Sequence, residues 1–161
     1  LHWALEDAAP GEVLVVDAAS AEFGYWGEVL HRAARVRGIH GLVIDGGVRD
    51  VQQLVASGLP VFASSVSMRG TTKRPELGPA AGEPILLGGI RVRRGDLVIG
   101  DADGVVVVAV EDADRVLAEA VRREGQEQEI LRRLDNGETT REIYALPPRG
   151  AGHEAEEQHA T

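Results

Sequence analysis

The chain has 161 residues, enough for one domain with a sizeable core, and its 43% apolar content is ordinary for a globular protein. A formal net charge of −9 argues against nucleic-acid and membrane surfaces, because phosphate binding needs clustered Lys and Arg. The absence of cysteine excludes disulfides and thiolate metal sites, and favours an intracellular, cytoplasmic enzyme.

Strands and helices are predicted in alternation in the first part of the chain, from apolar periodicity and the turn residues that follow it. In chain order they are Glu12–Asp17 (strand), Trp26–Arg37 (helix), Gly41–Asp45 (strand), Asp50–Ser57 (helix) and Pro60–Ala63 (strand). This alternation favours parallel or mixed strand pairing, with the helices as crossovers.

The pattern changes after the third predicted strand. Ser64–Glu83 is rich in Gly, Pro, Thr and Arg and predicts a long loop. The short apolar runs that follow are separated by Gly88-Gly89 and Asp103-Gly104, which predict antiparallel hairpins. Glu111–Asn136 predicts the longest helix, and the composition of Pro147–Thr161 predicts a disordered tail.

Arg49 and Asp50 form the most informative feature, because they follow a buried strand and two glycines at the start of a predicted helix. Ligands of α/β sheets gather at the carboxyl ends of strands. Arg49 could clamp a carboxylate or enolate oxygen, and Asp50 could hold a hard divalent cation. The alternative is structural: Asp50 with Gln53 fits a capping box, and Arg49 could pair with a surface acid.

A second glycine-bearing segment, Gly24–Leu30, also leads from a strand into a helix. The backbone N–H groups of Gly27, Glu28, Val29 and Leu30 would be unpaired at the helix start and could cradle a carboxylate. For Glu28 the alternative is only a favourable charge at the positive end of the helix dipole.

The long C-terminal helix carries two acids, Glu124 and Glu127, on the apolar stripe between Val121 and Leu131. They indicate either a polar pocket, a subunit interface or a solvated end of the helix. The five histidines have no metal-ligand spacing. No phosphate loop, dinucleotide fingerprint or nucleophile elbow is present in the sequence.

Several ordered segments together resemble the RraA-like family, and within it the 4-hydroxy-4-methyl-2-oxoglutarate aldolases. They are Pro10–Ala18, Tyr25–Asp50, Gly58–Ala63, Gly88–Val108 and the Glu-rich helix before Gly137-Glu138. Related proteins have also been called demethylmenaquinone methyltransferases, but the sequence contains no S-adenosylmethionine motif and we discount that name.

The resemblance implies an α/β fold of the swivelling β/β/α type, with a mixed sheet and flanking helices in a single domain over residues 1–146. Residues 147–161 would form the tail. It implies homotrimers or hexamers with active sites between subunits. Family members usually carry further residues before the position of Leu1, so we expect that an N-terminal segment is missing.

The resemblance also implies a Mg²⁺ or Mn²⁺ site with Asp50 as the direct protein ligand. Arg49 would bind a small 2-oxo acid, and the amides of Gly27–Leu30 would hold its carboxylate. Glu28 would lie beside the water ligands of the metal, and Glu127 would come from the neighbouring subunit.

The implied activity is that of a class II pyruvate aldolase acting on 4-hydroxy-2-oxo acids, with oxaloacetate decarboxylation as a second activity. Two alternatives remain. One is a non-catalytic regulator that binds ribonuclease E, although such members replace the residue corresponding to Asp50. The other is a truncated, inactive member of an oligomer.

Overall fold

A computed structural model describes residues 1–72 and 81–148 of the chain. The described residues divide into two compact units, one up to Ala113 and a second that begins at Asp114. In the first unit the elements are α1 (His2–Asp7), β1 (Val13–Trp26), α2 (Glu28–Val36), β2 (Gly41–Val48), α3 (Val51–Ser57), β3 (Val61–Val66), β4 (Ile85–Leu87), β5 (Ile90–Val92), β6 (Leu97–Asp101), β7 (Gly104–Val108) and a 3₁₀ turn (Val110–Asp112).

Three parallel strands form the sheet that positions the site, in the order β1-β2-β3. The crossovers are α2 and α3, so the predicted parallel pairing through helices is confirmed. All but one residue of β2 is buried, because its apolar run is covered on both faces. The largest fully buried side chains of the core are Trp26, Leu42 and Ile44.

Strand β1 is longer than predicted, because it continues past Asp17 to Trp26. Its register against β2 shifts three times beyond Asp17. Ala19 and Ser20 adopt positive φ angles of 51° and 55° in this irregular part. The sequence Ala-Ala-Ser-Ala has no strand signature, so only pairing with β2 could reveal the continuation.

The two predicted hairpins are confirmed as the antiparallel pairs β4-β5 and β6-β7. The predicted loop Ser64–Glu83 is wrong at its start, because β3 keeps its pairing with β2 as far as Val66. Residues 73–80 of that loop lie outside the described residues. Helix α1 was not predicted from the sequence.

The second unit contains α4 (Ala113–Asp135), which begins on the last residue of the first unit, and α5 (Thr140–Ile143). The predicted long helix is confirmed, apart from its first residues, which form the 3₁₀ turn. No side chain of α4 is buried. Helix α5 was missed by the sequence analysis, although Thr139 and Glu142 form a capping box at its start.

Only residues 147 and 148 of the predicted tail are described. No helix within the described ranges is long and apolar enough to cross a membrane.

Candidate active site

The two glycine-bearing segments meet at the carboxyl ends of β1 and β2. Gly24 lies opposite Gly47, and Trp26 lies opposite Val48, in the parallel ladder. Helices α2 and α3 start directly beyond these strand ends. The parallel sheet therefore brings together two segments that the sequence separates by more than twenty residues.

Asp50 adopts a left-handed conformation, with φ 59° and ψ 39°, immediately before α3. Its side chain does not cap its own helix, so the capping-box alternative is wrong. Instead, its Oδ2 accepts a hydrogen bond of 2.9 Å from the backbone N–H of Glu28. An unfavourable backbone angle thus coincides with a carboxylate aimed at the start of α2, as is common where side-chain direction matters for function.

The guanidinium of Arg49 lies beside this carboxylate. Its Nε is 3.7 Å from Asp50 Oδ2, and its Nη1 donates a 2.6 Å hydrogen bond to the carbonyl of Gly24. The acid beside Arg49 is therefore Asp50, the next residue in the sequence. Both side chains remain about two-fifths exposed, at 42% and 40%, so a ligand can approach them from solvent.

Gly27 leaves the space that this arrangement needs. A Cβ at this position would lie 2.5 Å from Asp50 Oδ2 and 2.9 Å from Arg49 Nε. Its φ of −150° is open to any residue, so the requirement for glycine here is steric.

The start of α2 already binds one carboxylate, because Glu28 N–H donates to Asp50. The carboxylate of Glu28 is half exposed and lies 3.9 Å from Arg32, one turn further on. The amides of Val29 and Leu30 have no hydrogen-bond partner among the described residues. The roles predicted for Gly27, Glu28, Val29 and Leu30 in substrate binding stay predictions.

Glu127 lies on α4, in the second unit, where its Oε1 accepts a 2.9 Å hydrogen bond from Arg123. This contact raises the pKa of Arg123. Its contribution to a neighbouring subunit's site stays a prediction.

The chain after β3 folds back onto the site, in a region predicted only as loop. Ser67 N–H donates to Val48 O at 2.9 Å, and Gly24 N–H donates to Arg69 O at 2.8 Å. The Arg69 guanidinium lies 5.6 Å from the centre of the Phe23 ring. A second cation therefore belongs to the segment that flanks Arg49.

His31 is a buried residue of this region to which the sequence analysis gave no role. Its side chain is bonded to Trp26 and to Ser57, and burial, followed by the charge of Arg35, lowers its pKa. In the sequence, His31 lies three positions before Ala34, so the two share one face of the helix, and both are buried.

The family model described as RraA-like, Aldolase/RraA, matches residues 1–107. The chain belongs to the RraA-like family. A Halalkalibacterium halodurans protein named "Putative 4-hydroxy-4-methyl-2-oxoglutarate aldolase" is 34% identical over 129 residues, covering 78% of this chain and 59% of that protein.

Solved structures of the family share this fold. RraAS2 of Streptomyces coelicolor, described as an unusual member of the RNase ES inhibitor RraA protein family, is similar at TM-score 0.73 and 32% identity, over 82% of this chain and 67% of that one. An uncharacterized protein from Pseudomonas syringae gives TM-score 0.74 and 28% identity, over 83% and 67%. The chain spans about three-fifths of the length of the curated relatives it matches (59% and 62%).

The carboxylate of Asp50 leaves one oxygen available to a cation. Asp50 Oδ2 is engaged by Glu28, whereas Oδ1 has no hydrogen-bond partner among the described residues. In the described ranges no group of three or more His, Asp or Glu residues could hold a metal. Magnesium sites with one or two protein carboxylates and several waters need no such group.

Proposed function

We propose that this RraA-like protein is a divalent-metal-dependent class II pyruvate aldolase. Its substrates are 4-hydroxy-2-oxo acids of the 4-hydroxy-4-methyl-2-oxoglutarate type, and oxaloacetate decarboxylation is a second activity. The observation that carries this proposal is the partly exposed carboxylate of Asp50, which lies beside the Arg49 guanidinium on a residue whose backbone is left-handed. The name of the Halalkalibacterium halodurans relative supports the same reaction class.

The reaction is a retro-aldol cleavage. A proton leaves the C4 hydroxyl, the C3–C4 bond breaks to give a carbonyl product and a pyruvate enolate, and C3 then takes up a proton. Mg²⁺ or Mn²⁺, when bound through Asp50, supplies Lewis-acid stabilisation of negative charge on the 2-oxo oxygen.

The remaining roles belong to groups of this chain. Arg49 places a permanent positive charge where the enolate oxygen develops, which favours the transition state over the bound substrate. The free amides of Val29 and Leu30 point at the C1 carboxylate from the positive end of α2. Glu28, in the first turn of α2, orients the water that moves the proton between the C4 hydroxyl and C3 of the substrate.

The test is pyruvate release from several 4-hydroxy-2-oxo acids and from oxaloacetate, with Mg²⁺ or Mn²⁺ and with a chelator. We expect metal-dependent release by the parent and none by Asp50→Ala. Asp103→Asn, which changes an exposed acid in the β6-β7 turn, is the matched control and should keep the parent's rate. Equal rates for Asp50→Ala and the parent would refute the proposed mechanism.

A second candidate function is regulation of a ribonuclease, which the description of the Streptomyces coelicolor neighbour favours. Capture of ribonuclease E by the tagged chain, measured beside the pyruvate assay, separates the two. Binding without pyruvate release would support the regulator, and release without binding would support the aldolase.

We also propose a cytoplasmic homotrimer or hexamer, in which Glu127 of one subunit reaches the site of another. Light scattering gives the mass of the assembly. Glu127→Gln should then lower turnover in the assembled protein while leaving its mass unchanged.

A further inference from the structure

His31 is buried between three elements, with only 2% of its surface exposed. The indole Nε1–H of Trp26 donates to His31 Nδ1 at 3.2 Å, and His31 Nε2 contacts the hydroxyl of Ser57. An indole N–H can only donate, so Nδ1 must be the unprotonated nitrogen and Nε2 carries the proton. The ring therefore donates to Ser57, whose hydroxyl in turn donates to Leu54 O at 2.7 Å.

This network joins α2 and α3 at a second point. At their starts, Glu28 N–H donates to Asp50 Oδ2. One turn along α2, His31 meets Ser57, the last residue of the seven-residue α3. The two contacts lie at opposite ends of α3, so together they restrict the angle at which the start of α2 faces Asp50.

The same ring also fixes the end of β1. The backbone N–H of His31 donates to Gly27 O at 3.0 Å, and the ring accepts the hydrogen bond from the indole of Trp26. The carbonyl of Trp26 accepts the backbone N–H of Arg49 at 2.8 Å. His31 is thus bonded directly to the residues on which both Arg49 and the α2 start depend.

We propose that His31 is a positioning residue, which through Trp26 and Ser57 holds the start of α2 in the orientation in which the amide of Glu28 faces the carboxylate of Asp50. The proposal rests on the proposed function only for what the site binds, since the positioning itself is a property of the chain.

The network requires a neutral ring. Protonation of Nδ1 would set an N–H against the indole N–H and remove that hydrogen bond. The groups that face the ring are the indole from β1, the hydroxyl of Ser57 from α3 and, on α2 itself, Arg35, whose charge disfavours protonation. Acidification should therefore loosen the start of α2.

The experiment is amide-proton exchange of Glu28 by NMR, expressed as protection relative to the unstructured peptide rate. Ser57→Ala removes the partner of His31 Nε2, together with the bonds of the hydroxyl to Leu54 O and Leu59 N–H. It should reduce this protection about three- to tenfold, because the buried Nε2–H of His31 is left unpaired. Ser64→Ala, which removes a β3 hydroxyl that bonds Gly46 O, is the matched control and should leave the protection of Glu28 unchanged.

The pH dependence separates positioning by the imidazole from simple packing. Protection of Glu28 in the parent should fall as the pH drops below about 6.5, and His31→Gln should abolish that dependence, whereas His40→Gln at an exposed histidine should keep it. Unchanged protection in Ser57→Ala, or the parent's pH dependence in His31→Gln, would overturn the proposal.

Mn²⁺ binding by calorimetry then connects the network to the site. If the parent binds Mn²⁺, Ser57→Ala should weaken that binding about three- to tenfold, because the unpaired His31 no longer holds the start of α2 against Asp50. Equal affinity would overturn the positioning role. If the parent does not bind Mn²⁺, the proposed function fails, while the exchange of Glu28 still decides the role of His31.

Discussion

Replacing Asp50 by glycine and by alanine separates its backbone strain from its chemistry. Alanine at φ 59° keeps the left-handed conformation, which costs an L-residue about 1–2 kcal/mol, whereas glycine adopts it freely. Glycine loses about 0.5–1 kcal/mol through the greater entropy of the unfolded chain. We therefore expect Asp50→Gly to be more stable than Asp50→Ala by up to about 1.5 kcal/mol, by these same estimates.

Both variants lose the hydrogen bond from Glu28 N–H. Such a bond to a charged acceptor is worth about 1.5–3 kcal/mol when buried, and less at a side chain that is 40% exposed. Asp50→Ala should therefore be clearly less stable than the parent, and Asp50→Gly should lie between them. Urea unfolding followed through the fluorescence of the buried Trp26, in a Trp3→Phe background, measures this order.

The activities of the two variants should not follow their stabilities. Both should lack metal-dependent pyruvate release, because neither has a carboxylate at position 50. Greater stability of Asp50→Ala than of Asp50→Gly would refute the left-handed geometry. Residual metal-dependent release in either variant would refute the role of the carboxylate in holding the cation.

Four further outcomes are expected. Gly27→Ala should lower pyruvate release at least about tenfold, because its Cβ would lie 2.5 Å from Asp50 Oδ2 and must displace it. Arg49→Lys should also lose about tenfold in kcat/KM, because an ammonium cannot bond Gly24 O and the substrate in one planar fork. Stability to urea should fall as the pH drops below about 6.5, because burial lowers the pKa of His31 and the unfolded chain then binds the extra proton; His31→Gln should flatten this profile. Gly125→Ala, in open space within α4, should stabilise that helix by about 0.5–1 kcal/mol, seen as a higher melting temperature by circular dichroism.

Each of these has a result that would contradict it. Parent-like turnover of Gly27→Ala would show that the carboxylate position is not critical, and parent-like kcat/KM of Arg49→Lys would remove the need for a planar cation. A pH profile unaltered by His31→Gln would assign the loss of stability to other groups. A lower melting temperature for Gly125→Ala would mean that this glycine is needed for contacts of α4.

The sequence predicted the parts of the site that are local. The segment from Gly41 to Ser57 is a buried strand followed by a helix, and both elements were predicted from the sequence. The strand, however, continues to Val48 instead of ending at Asp45, because Gly46 and Gly47 pair with β1 and do not form a turn. Arg49 and Asp50 were singled out because they follow a buried strand and two glycines at the start of a predicted helix, where ligands of α/β sheets gather. The family resemblance, which the family model confirms, supplied their chemistry.

The rest depends on contacts between distant residues. The bond from Glu28 to Asp50 joins residues 22 positions apart, and that from His31 to Ser57 joins residues 26 apart. The continuation of β1 is irregular and has no alternating pattern, so only β2 defines it. Helical periodicity placed His31 on α2, but not against a particular partner.

The backbone of Gly24 hydrogen-bonds both to Arg49 and to the segment after β3, and this limits where that segment can be exchanged. The carbonyl of Gly24 accepts a hydrogen bond from the Arg49 guanidinium, and its N–H donates to the carbonyl of Arg69. The N–H of Ser67 donates to the carbonyl of Val48. A graft that begins before residue 70 would release Gly24 and shift Arg49, even though no substrate contact had been changed. Chimaeras designed to alter substrate range should therefore keep Ser67–Arg69 and join the foreign segment at Gly70 or later.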